Sequence, residues 1–384
     1  MKLADICDVY SGYAFKKFND LGHGVPVIKI SNLLPDGSIN LINCLFTTEN
    51  IKEKFYSKKS DIYIALSGAT TGKISIMDKD NTFAINQRVG IVRNRSTIPN
   101  EYLKYFLMSK SNRILEEASG CAQPNISPKQ IANYHVPIYS DAVINKIVSE
   151  LREIDKIKNT YQKQLELLDE LVKFRFVEMF GTIYDKKFDM KTLPDIVSSD
   201  KNSIKRGPFG GALKKEDFLE DGYMVYEQRH AIHEDFEYAK YYVSPEKYES
   251  MIGFKVVPGD LIISCSGTLG RIAEVPMGAK EGIINQALLK ISLNKDIMNN
   301  QFFIYQFRCK EIQDMLFGIS RGSGIANMPS MNEVKAFKFI CPPLELQNQF
   351  ASFVQEIDKS RSRIQKSLEA SQELFDSLMQ EYFG

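Results

Sequence analysis

Asp61-Ile62-Tyr63-Ile64-Ala65-Leu66-Ser67-Gly68 returns later in the chain as Asp260-Leu261-Ile262-Ile263-Ser264-Cys265-Ser266-Gly267. A glycine and a base follow in both places, Gly72-Lys73-Ile74 and then Gly270-Arg271-Ile272. Ile85-Asn86-Gln87 returns as Ile284-Asn285-Gln286 at the same offset of 199 residues (260 − 61 and 285 − 86). Further on, Glu153-Ile154-Asp155-Lys156 returns as Glu356-Ile357-Asp358-Lys359, and Phe180-Gly181 as Phe383-Gly384, where the offset has drifted to 203 (384 − 181). One small loop insertion accounts for that drift. Matches that keep their order over this distance make the chain a tandem duplication.

Within each copy the pattern changes character once. Short apolar runs at 25–30, 61–66, 254–257 and 261–264 lie between Gly, Pro, Asn and Asp and predict strands joined by turns. Helical periodicity at 100–115 and 299–317 makes each globular part α+β. From 143 to 180 there is neither Pro nor Gly, and apolar residues alternate steps of three and four: Ile144, Ile147, Leu151, Ile154, Tyr161, Leu165, Leu168 and Val172. Lys158 occupies one position of this seam. The second copy keeps the register at Ile357, Ile364, Leu368, Phe375 and Leu378, with Arg361 where Lys158 falls and Ser371 where Leu168 stood. A polar break shared by both seams predicts that the helices pair with each other. A helix of about 38 residues is about 57 Å long, so an antiparallel pair is a spacer between two binding surfaces. The expected organisation is 1–142 globular, 143–180 helix, 181–345 globular and 346–384 helix.

Composition bounds the function. With 49 Lys and Arg against 48 Asp and Glu the formal net charge is +1, so any nucleic-acid binding must rest on local charge. The six cysteines (Cys7, Cys44, Cys121, Cys265, Cys309, Cys341) include no C-x-x-C pair and read as reduced, mostly core thiols. No apolar leader opens the chain and no run long enough to span a bilayer occurs, which leads us to expect a soluble, cytoplasmic protein.

The residues that would carry catalysis are missing. Ser67-Gly68-Ala69-Thr70-Thr71-Gly72-Lys73 is one residue short of a nucleotide-binding loop, and Ile74 stands where a Mg²⁺-holding hydroxyl belongs. A nucleotide-dependent hydrolase built on this loop would have to lose nucleotide binding with Lys73→Ala. As a glycine turn carrying threonines and one base, the loop also suits a DNA phosphate, through backbone N–H groups and the ammonium. His230 and His233, beside Glu234 and Asp235, have no counterpart in the first copy and read as solvated loop residues; His23 and His135 stand alone. Cys341-Pro342-Pro343-Leu344 lacks the polar and aromatic residues of a methyltransferase motif and reads as the lead-in to the second long helix. Neither catalytic residues, nor a cofactor, nor a metal is expected.

Local charge is informative where net charge is not. Residues 81–100 hold Arg88, Arg93 and Arg95 and no acid, and 201–215 hold five bases and no acid around Gly207-Pro208-Phe209-Gly210-Gly211. Amides, hydroxyls and turn glycines lie among these bases, as base-edge and phosphate contacts require.

The run Ile204-Lys205-Arg206-Gly207-Pro208-Phe209-Gly210-Gly211-Ala212-Leu213-Lys214-Lys215-Glu216-Asp217-Phe218 resembles the opening of a target-recognition domain in type I restriction–modification specificity subunits. Gly259-Asp260-Leu261-Ile262 before Ser266-Gly267-Thr268, and Ile284-Asn285-Gln286, are similar to that family too. Pro342-Pro343-Leu344-Glu345-Leu346-Gln347 before Ile357-Asp358 resembles its passage into a long helix. The first copy matches more loosely, with Tyr10-Ser11-Gly12-Tyr13-Ala14-Phe15 and Tyr139-Ser140-Asp141 at the corresponding places.

The resemblance covers the whole chain. It implies two tandem-repeated target-recognition domains separated by two long helices that form an antiparallel coiled coil. Each domain would read one half of a split, asymmetric site in double-stranded DNA. The helices would set the spacer and dock two methyltransferase subunits, restriction subunits would join through the complex, and no membrane is involved. The subunit itself would have no cofactor and no active site. DNA-facing candidates in the first domain are Lys16, Lys17, Thr70, Lys73, Gln87, Arg88, Gln123 and Asn125. Those in the second are Lys205, Arg206, Gln228, Arg229, Thr268, Arg271, Gln286, Arg321, Ser323 and Asn327. The presence of Gln87 and Gln286 in both copies fits a shared scaffold better than two different readings. The competing possibility is a coiled-coil interaction scaffold for protein or carbohydrate ligands, and a steep loss of duplex binding with salt distinguishes DNA from it.

Overall fold

Ile62–Ala65 and Leu261–Ser264, the strands at the heart of the repeat, are buried at every position. Side chains alternate between the two faces of a strand, so a strand with no polar face must be covered on both sides. The computed structural model shows how, and describes the chain except for residues 21, 43, 78–81, 119–123, 183–184, 186, 210 and 319–327. Two units divide it, Met1–Gln164 with Ile364–Gly384, and Leu165–Arg363.

In the first unit an antiparallel sheet runs in the order Cys7–Ser11, Val89–Asn94, Ile62–Ala65, Ile74–Ile76. Ile62, Ile64, Ile74 and Val92 face the helices Asn100–Ser109 and Ser111–Ala118 and the long-helix residues Ile144, Ile147 and Leu151. On the other face Tyr63, Ala65 and Ile91 meet Ile28, Met77, Phe83 and Ile85 beside a small sheet of Leu45–Thr47, Val25–Ile28 and Ala84–Ile85.

The second unit repeats this topology. Its antiparallel sheet runs Ile204–Arg206, Leu288–Ile291, Leu261–Ser264, Ile272–Glu274, and its small sheet contains Tyr242–Val243, Tyr223–Tyr226 and Gly282–Ile284, with Lys255–Val256 added. The internal sequence repeat is therefore a repeat of strand order.

The aspartate that opens each repeated motif is structural. Asp61 is 3% exposed, accepts from Lys58 N–H at 2.8 Å, and takes Arg93 Nε and Nη2 at 2.8 and 2.6 Å. These bonds hold the Arg93 guanidinium above its ordinary value. Asp260 does the same work with Val257 N–H (2.9 Å), Ser292 Oγ (2.5 Å) and the Lys290 ammonium (3.8 Å). A buried carboxylate needs this degree of partnering to remain charged.

The long helices are Asp141–Phe180 and Leu344–Phe383, and they pair antiparallel within each unit. In the first, Tyr382 OH donates to Glu150 at 2.6 Å and the Lys158 ammonium lies 4.2 Å from the Phe375 ring centre. In the second, Arg361 pairs with Asp169, and Phe176 and Phe350 lie 5.5 Å apart. Rising numbers on one helix thus meet falling numbers on the other. Of the seam residues, Ile147, Leu151, Ile154, Ile357 and Phe375 are buried, and Lys158, Tyr161, Leu165, Leu168, Arg361, Ile364, Leu368 and Leu378 are half-buried. The polar breaks keep charge partners, Lys158 with Asp155 at 3.7 Å and Arg361 with Asp358 at 2.6 Å.

His230 corrects the sequence reading of a solvated pair. It is fully buried in the helix Gln228–His233, with Nδ1 accepting from Glu227 N–H (2.9 Å) and Nε2 against Tyr238 O (2.8 Å). An acceptor Nδ1 fixes the proton on Nε2. Only His233 is exposed.

Candidate nucleic-acid interface

Asn86 and Asn285 are the residues that build the end of each sheet where the candidates gather. Asn86 Oδ1 accepts from Arg88 N–H at 3.1 Å, and Asn285 Oδ1 from Ala287 N–H at 3.0 Å. Their own N–H groups donate to Ile28 O and Tyr226 O, at 3.0 and 2.9 Å. The repeated Ile-Asn-Gln is thus a side-chain-closed turn, with asparagine as its working residue; Gln87 and Gln286 are exposed. The asparagine was overlooked in the sequence, although its recurrence beside the glutamine was the available signal. Asn86→Ala or Asn285→Ala should cost about 1 kcal/mol and Gln87→Ala almost nothing, as read by denaturant unfolding.

In the first unit main-chain bonds tie four segments around this turn. Gln87 N–H donates to Tyr13 O (2.8 Å), Leu66 N–H to Arg88 O (2.9 Å), Gly68 N–H to Pro124 O (3.1 Å) and Ile126 N–H to Leu66 O (2.9 Å). Thr70, Lys73, Gln87, Arg88 and Asn125 stand on these segments, and all but half-buried Thr70 and Lys73 are exposed. Lys16 and Lys17 are exposed as well, but both their N–H groups donate to Glu49 Oε1 at 2.7 Å, so a carboxylate anchors that stretch. Gln123 lies outside the described residues.

The glycine turn does not offer a backbone cradle. Gly68, Thr71, Gly72 and Lys73 donate their N–H groups to Pro124, Gly68, Ala65 and Thr70 carbonyls. The Thr71 hydroxyl is taken by Gly68 O at 2.7 Å. This corrects the expectation that backbone N–H groups would hold a phosphate there; the Lys73 side chain remains.

In the second unit Gly207 N–H donates to Leu288 O (2.8 Å), Cys265 N–H to Ala287 O (2.8 Å) and Asn285 N–H to Tyr226 O, joining 204–209, 226–229, 264–271 and 285–287. Ser264 Oγ clamps the turn, donating to Thr268 O (2.5 Å) and accepting from Arg271 N–H (3.0 Å), and leaves both side chains exposed. Lys205 and Arg206 are neighbours on a strand and point to opposite faces. Lys205 lies over Phe254 at 4.7 Å, and Arg206 over Phe209 at 5.4 Å. Burial pushes the nearby Cys265 thiol up to about 12, with Arg206 pulling the other way. Arg229 is engaged, 4.3 Å from the Tyr238 ring centre and 3.9 Å from Asp235. Arg321, Ser323 and Asn327 lie outside the described residues.

Charge pairing separates the arginines. Among the described residues Arg88, Arg206 and Arg271 have no carboxylate within 4.0 Å, and the same is true of Arg363 on the second long helix. Arg93 and Arg95, the other two bases of the 81–100 stretch, are paired with Asp61 and Asp8. The basic stretch read from the sequence therefore reduces to Arg88. Thr70 Oγ1, Arg206 Nε and Gln228 Oε1 are buried polar atoms without a hydrogen-bond partner. Among the described residues no cluster of His, Cys, Asp and Glu could hold a metal, and no helix is long and apolar enough to cross a membrane.

Comparison with known proteins agrees with this architecture. A specificity subunit of the type I restriction enzyme MjaVIII from Methanocaldococcus jannaschii is 27% identical over 183 residues, 45% of this chain and 43% of that protein. The chain thus spans less than half the length of that relative. A putative type I restriction enzyme MjaX specificity subunit from the same organism is 23% identical over 394 residues, covering 95% of this chain and 89% of that protein. The crystal structure of a type I restriction-modification S subunit from M. genitalium shares the fold, with a TM-score of 0.55, 16% identity and coverage of 100% and 95% of the two chains. So does a chain from a structural study of complex assembly and conformational transition in the type I R-M system, with a TM-score of 0.56, 13% identity and coverage of 100% and 96%. The sequence model of the type I restriction modification DNA specificity domain matches residues 1–167 and 186–372. By that match over both copies, the chain belongs to the family of type I restriction–modification DNA specificity subunits.

Proposed function

We propose that this chain is the non-catalytic, sequence-reading subunit of a type I restriction–modification complex in the cytoplasm. The recognition domains, 1–142 and 181–345, each read one half of a bipartite, asymmetric target in duplex DNA. The helices 143–180 and 346–384 set the spacing between the halves and dock two methyltransferase subunits, through which restriction subunits join. The base flipping that methylation requires falls to those partners.

The observation that carries this reading is the distribution of unpaired arginines. Guanidinium groups elsewhere in the units are mostly neutralised, whereas Arg88, Arg206 and Arg271 stand free around the two asparagine turns. Free guanidinium beside exposed Gln and Thr is the equipment for base edges and phosphates. Lysines such as Lys16, Lys17, Lys73 and Lys205 would hold phosphates and set salt dependence.

The test uses the chain co-expressed with its methyltransferase subunits, on a duplex taken from methylation mapping of the host, over a salt series. Affinity should fall steeply with salt and require both half-sites. Arg206→Ala should weaken binding roughly 10- to 100-fold, through the half-site read by the second domain. A complex that forms but shows no sequence preference would refute the reading.

A further inference from the structure

Phe209 is 67% exposed on a stretch that is otherwise basic. An aromatic ring left in water on a charged loop calls for an explanation, and the mount beneath it is rigid. Gly207 and Pro208 are both buried, and Gly207 lies so close to the asparagine turn that a Cβ would stand 1.8 Å from Asn285 O. Proline fixes its own backbone angle, so the ring's starting point is set on both sides. The Arg206 guanidinium lies 5.4 Å from the ring centre, has no carboxylate within 4.0 Å, and its Nε is buried without a partner. Ring and cation thus form one preorganised pair.

The first unit supplies the comparison. Gly12 occupies the same place there, donating to Val89 O at 2.9 Å, with a Cβ position 2.3 Å from Ile85 O. Two residues on, where the second unit carries Phe209, the first carries Ala14. Its own aromatic residue, Phe15, is packed 5.1 Å from Tyr13 instead. The scaffold does not need an exposed ring, because one copy folds without it. A feature added to only one of two equivalent frames answers to what that frame binds.

We infer that Arg206 and Phe209 act as a single base-reading element of the second recognition domain. The guanidinium donates to the acceptor edge of a guanine in the major groove, and the ring covers the 5-methyl group of the adjacent thymine. Phe209 is thereby a specificity-determining residue, and the first half-site is read without an equivalent apolar contact. This rests on the DNA-reading function proposed above.

The experiment uses the full chain in complex with its methyltransferase subunits. Each thymine of the target is replaced in turn by uracil, which removes only the 5-methyl group, and binding is measured for the wild type, Phe209→Ala and Phe209→Leu. The wild type should lose roughly tenfold at one thymine of the second half-site. Phe209→Ala should lose about as much on the unmodified site and become indifferent to that substitution. Phe209→Leu should keep part of the discrimination, and replacements in the first half-site should affect all three proteins equally. The thermal midpoint of Phe209→Ala should match the wild type, since the ring is exposed. The inference is overturned if Phe209→Ala binds like the wild type, if it keeps the full uracil penalty, or if the second half-site holds no thymine. It is also overturned if 2-aminopurine in the second half-site brightens with the wild type and not with Phe209→Ala, because the ring then acts as a wedge between bases. Failure of the wild type to prefer any sequence would instead refute the DNA-reading function itself.

Discussion

Replacing Phe350 by alanine should destabilise the second unit by about 3–5 kcal/mol, measured as a shift of its denaturant unfolding midpoint. Phe350 lies on the second long helix and is fully buried. Its ring centre is 5.5 and 5.6 Å from Phe176 and Phe180 on the first long helix, and 5.0 Å from Tyr305 on the helix Asn300–Arg308. The interplanar angles of 74°, 81° and 68° are edge-to-face arrangements, which add to the gain from burial alone. Truncation leaves a cavity walled by rings on two helices, and rings are poor at collapsing into space. Phe350→Leu refills most of that volume and should cost far less. In the first unit Ile147 stands at the matching position (350 − 203), with Phe383 and Tyr102 5.2 Å apart beside it in the same core. A loss below about 1 kcal/mol for Phe350→Ala, far under the ordinary range for such a deletion, would mean that the helix pairing is not what holds this unit.

The helix pairing was legible because its signal is repeated along tens of residues. A seam with three- and four-residue steps, broken at Lys158 and again at Arg361, leaves few other arrangements. The duplication was legible for the same reason, since strand order followed the repeated motifs. What the sequence concealed was pairing between residues far apart in the chain. Arg93 reads as a free base among amides and hydroxyls, yet its carboxylate is Asp61, 32 residues upstream. Counting local charge cannot detect such a partner, and it overstated the basic character of 81–100. His230 was misread for a related cause: its burial depends on Tyr238 and Phe236 folding over the helix that carries it.

The candidate site divides along the same line. Residue types that face water, such as Arg88, Arg271 and Thr268, could be picked by kind and position alone. The groups that orient them could not, because Asn86, Asn285 and Ser264 act through single hydrogen bonds to main-chain groups. The glycine turn shows the reverse error. Its composition suits an anion, but composition does not reveal that the sheet has already taken the N–H groups in question. A polar group can be counted toward a ligand only after its internal bonds are known.

Gly207→Ala should combine the two kinds of damage, and in one half of the molecule only. The new Cβ would stand 1.8 Å from Asn285 O, 2.6 Å from Asn285 C and 2.9 Å from Gln286 Cα. All three are backbone atoms, so no side chain can swing aside to make room. Either the strand Ile204–Arg206 separates from Leu288–Ile291, stretching the 2.8 Å bond from Gly207 N–H to Leu288 O, or the asparagine turn opens. Overpacking of this kind costs about 1–3 kcal/mol or more, and here it displaces Arg206 and Phe209 together. Target binding should fall more than roughly tenfold, since a bidentate base contact is lost along with its neighbour. Base changes in the second half-site should then cease to matter, while those in the first keep their effect. Gly12→Ala, with Cβ contacts of 2.3 and 2.4 Å to Ile85 O and Asn86 O, should produce the mirror result for the first half-site. If Gly207→Ala is destabilised but still discriminates second-half-site bases as the wild type does, the 204–209 segment is scaffold and the reading surface lies elsewhere on the unit.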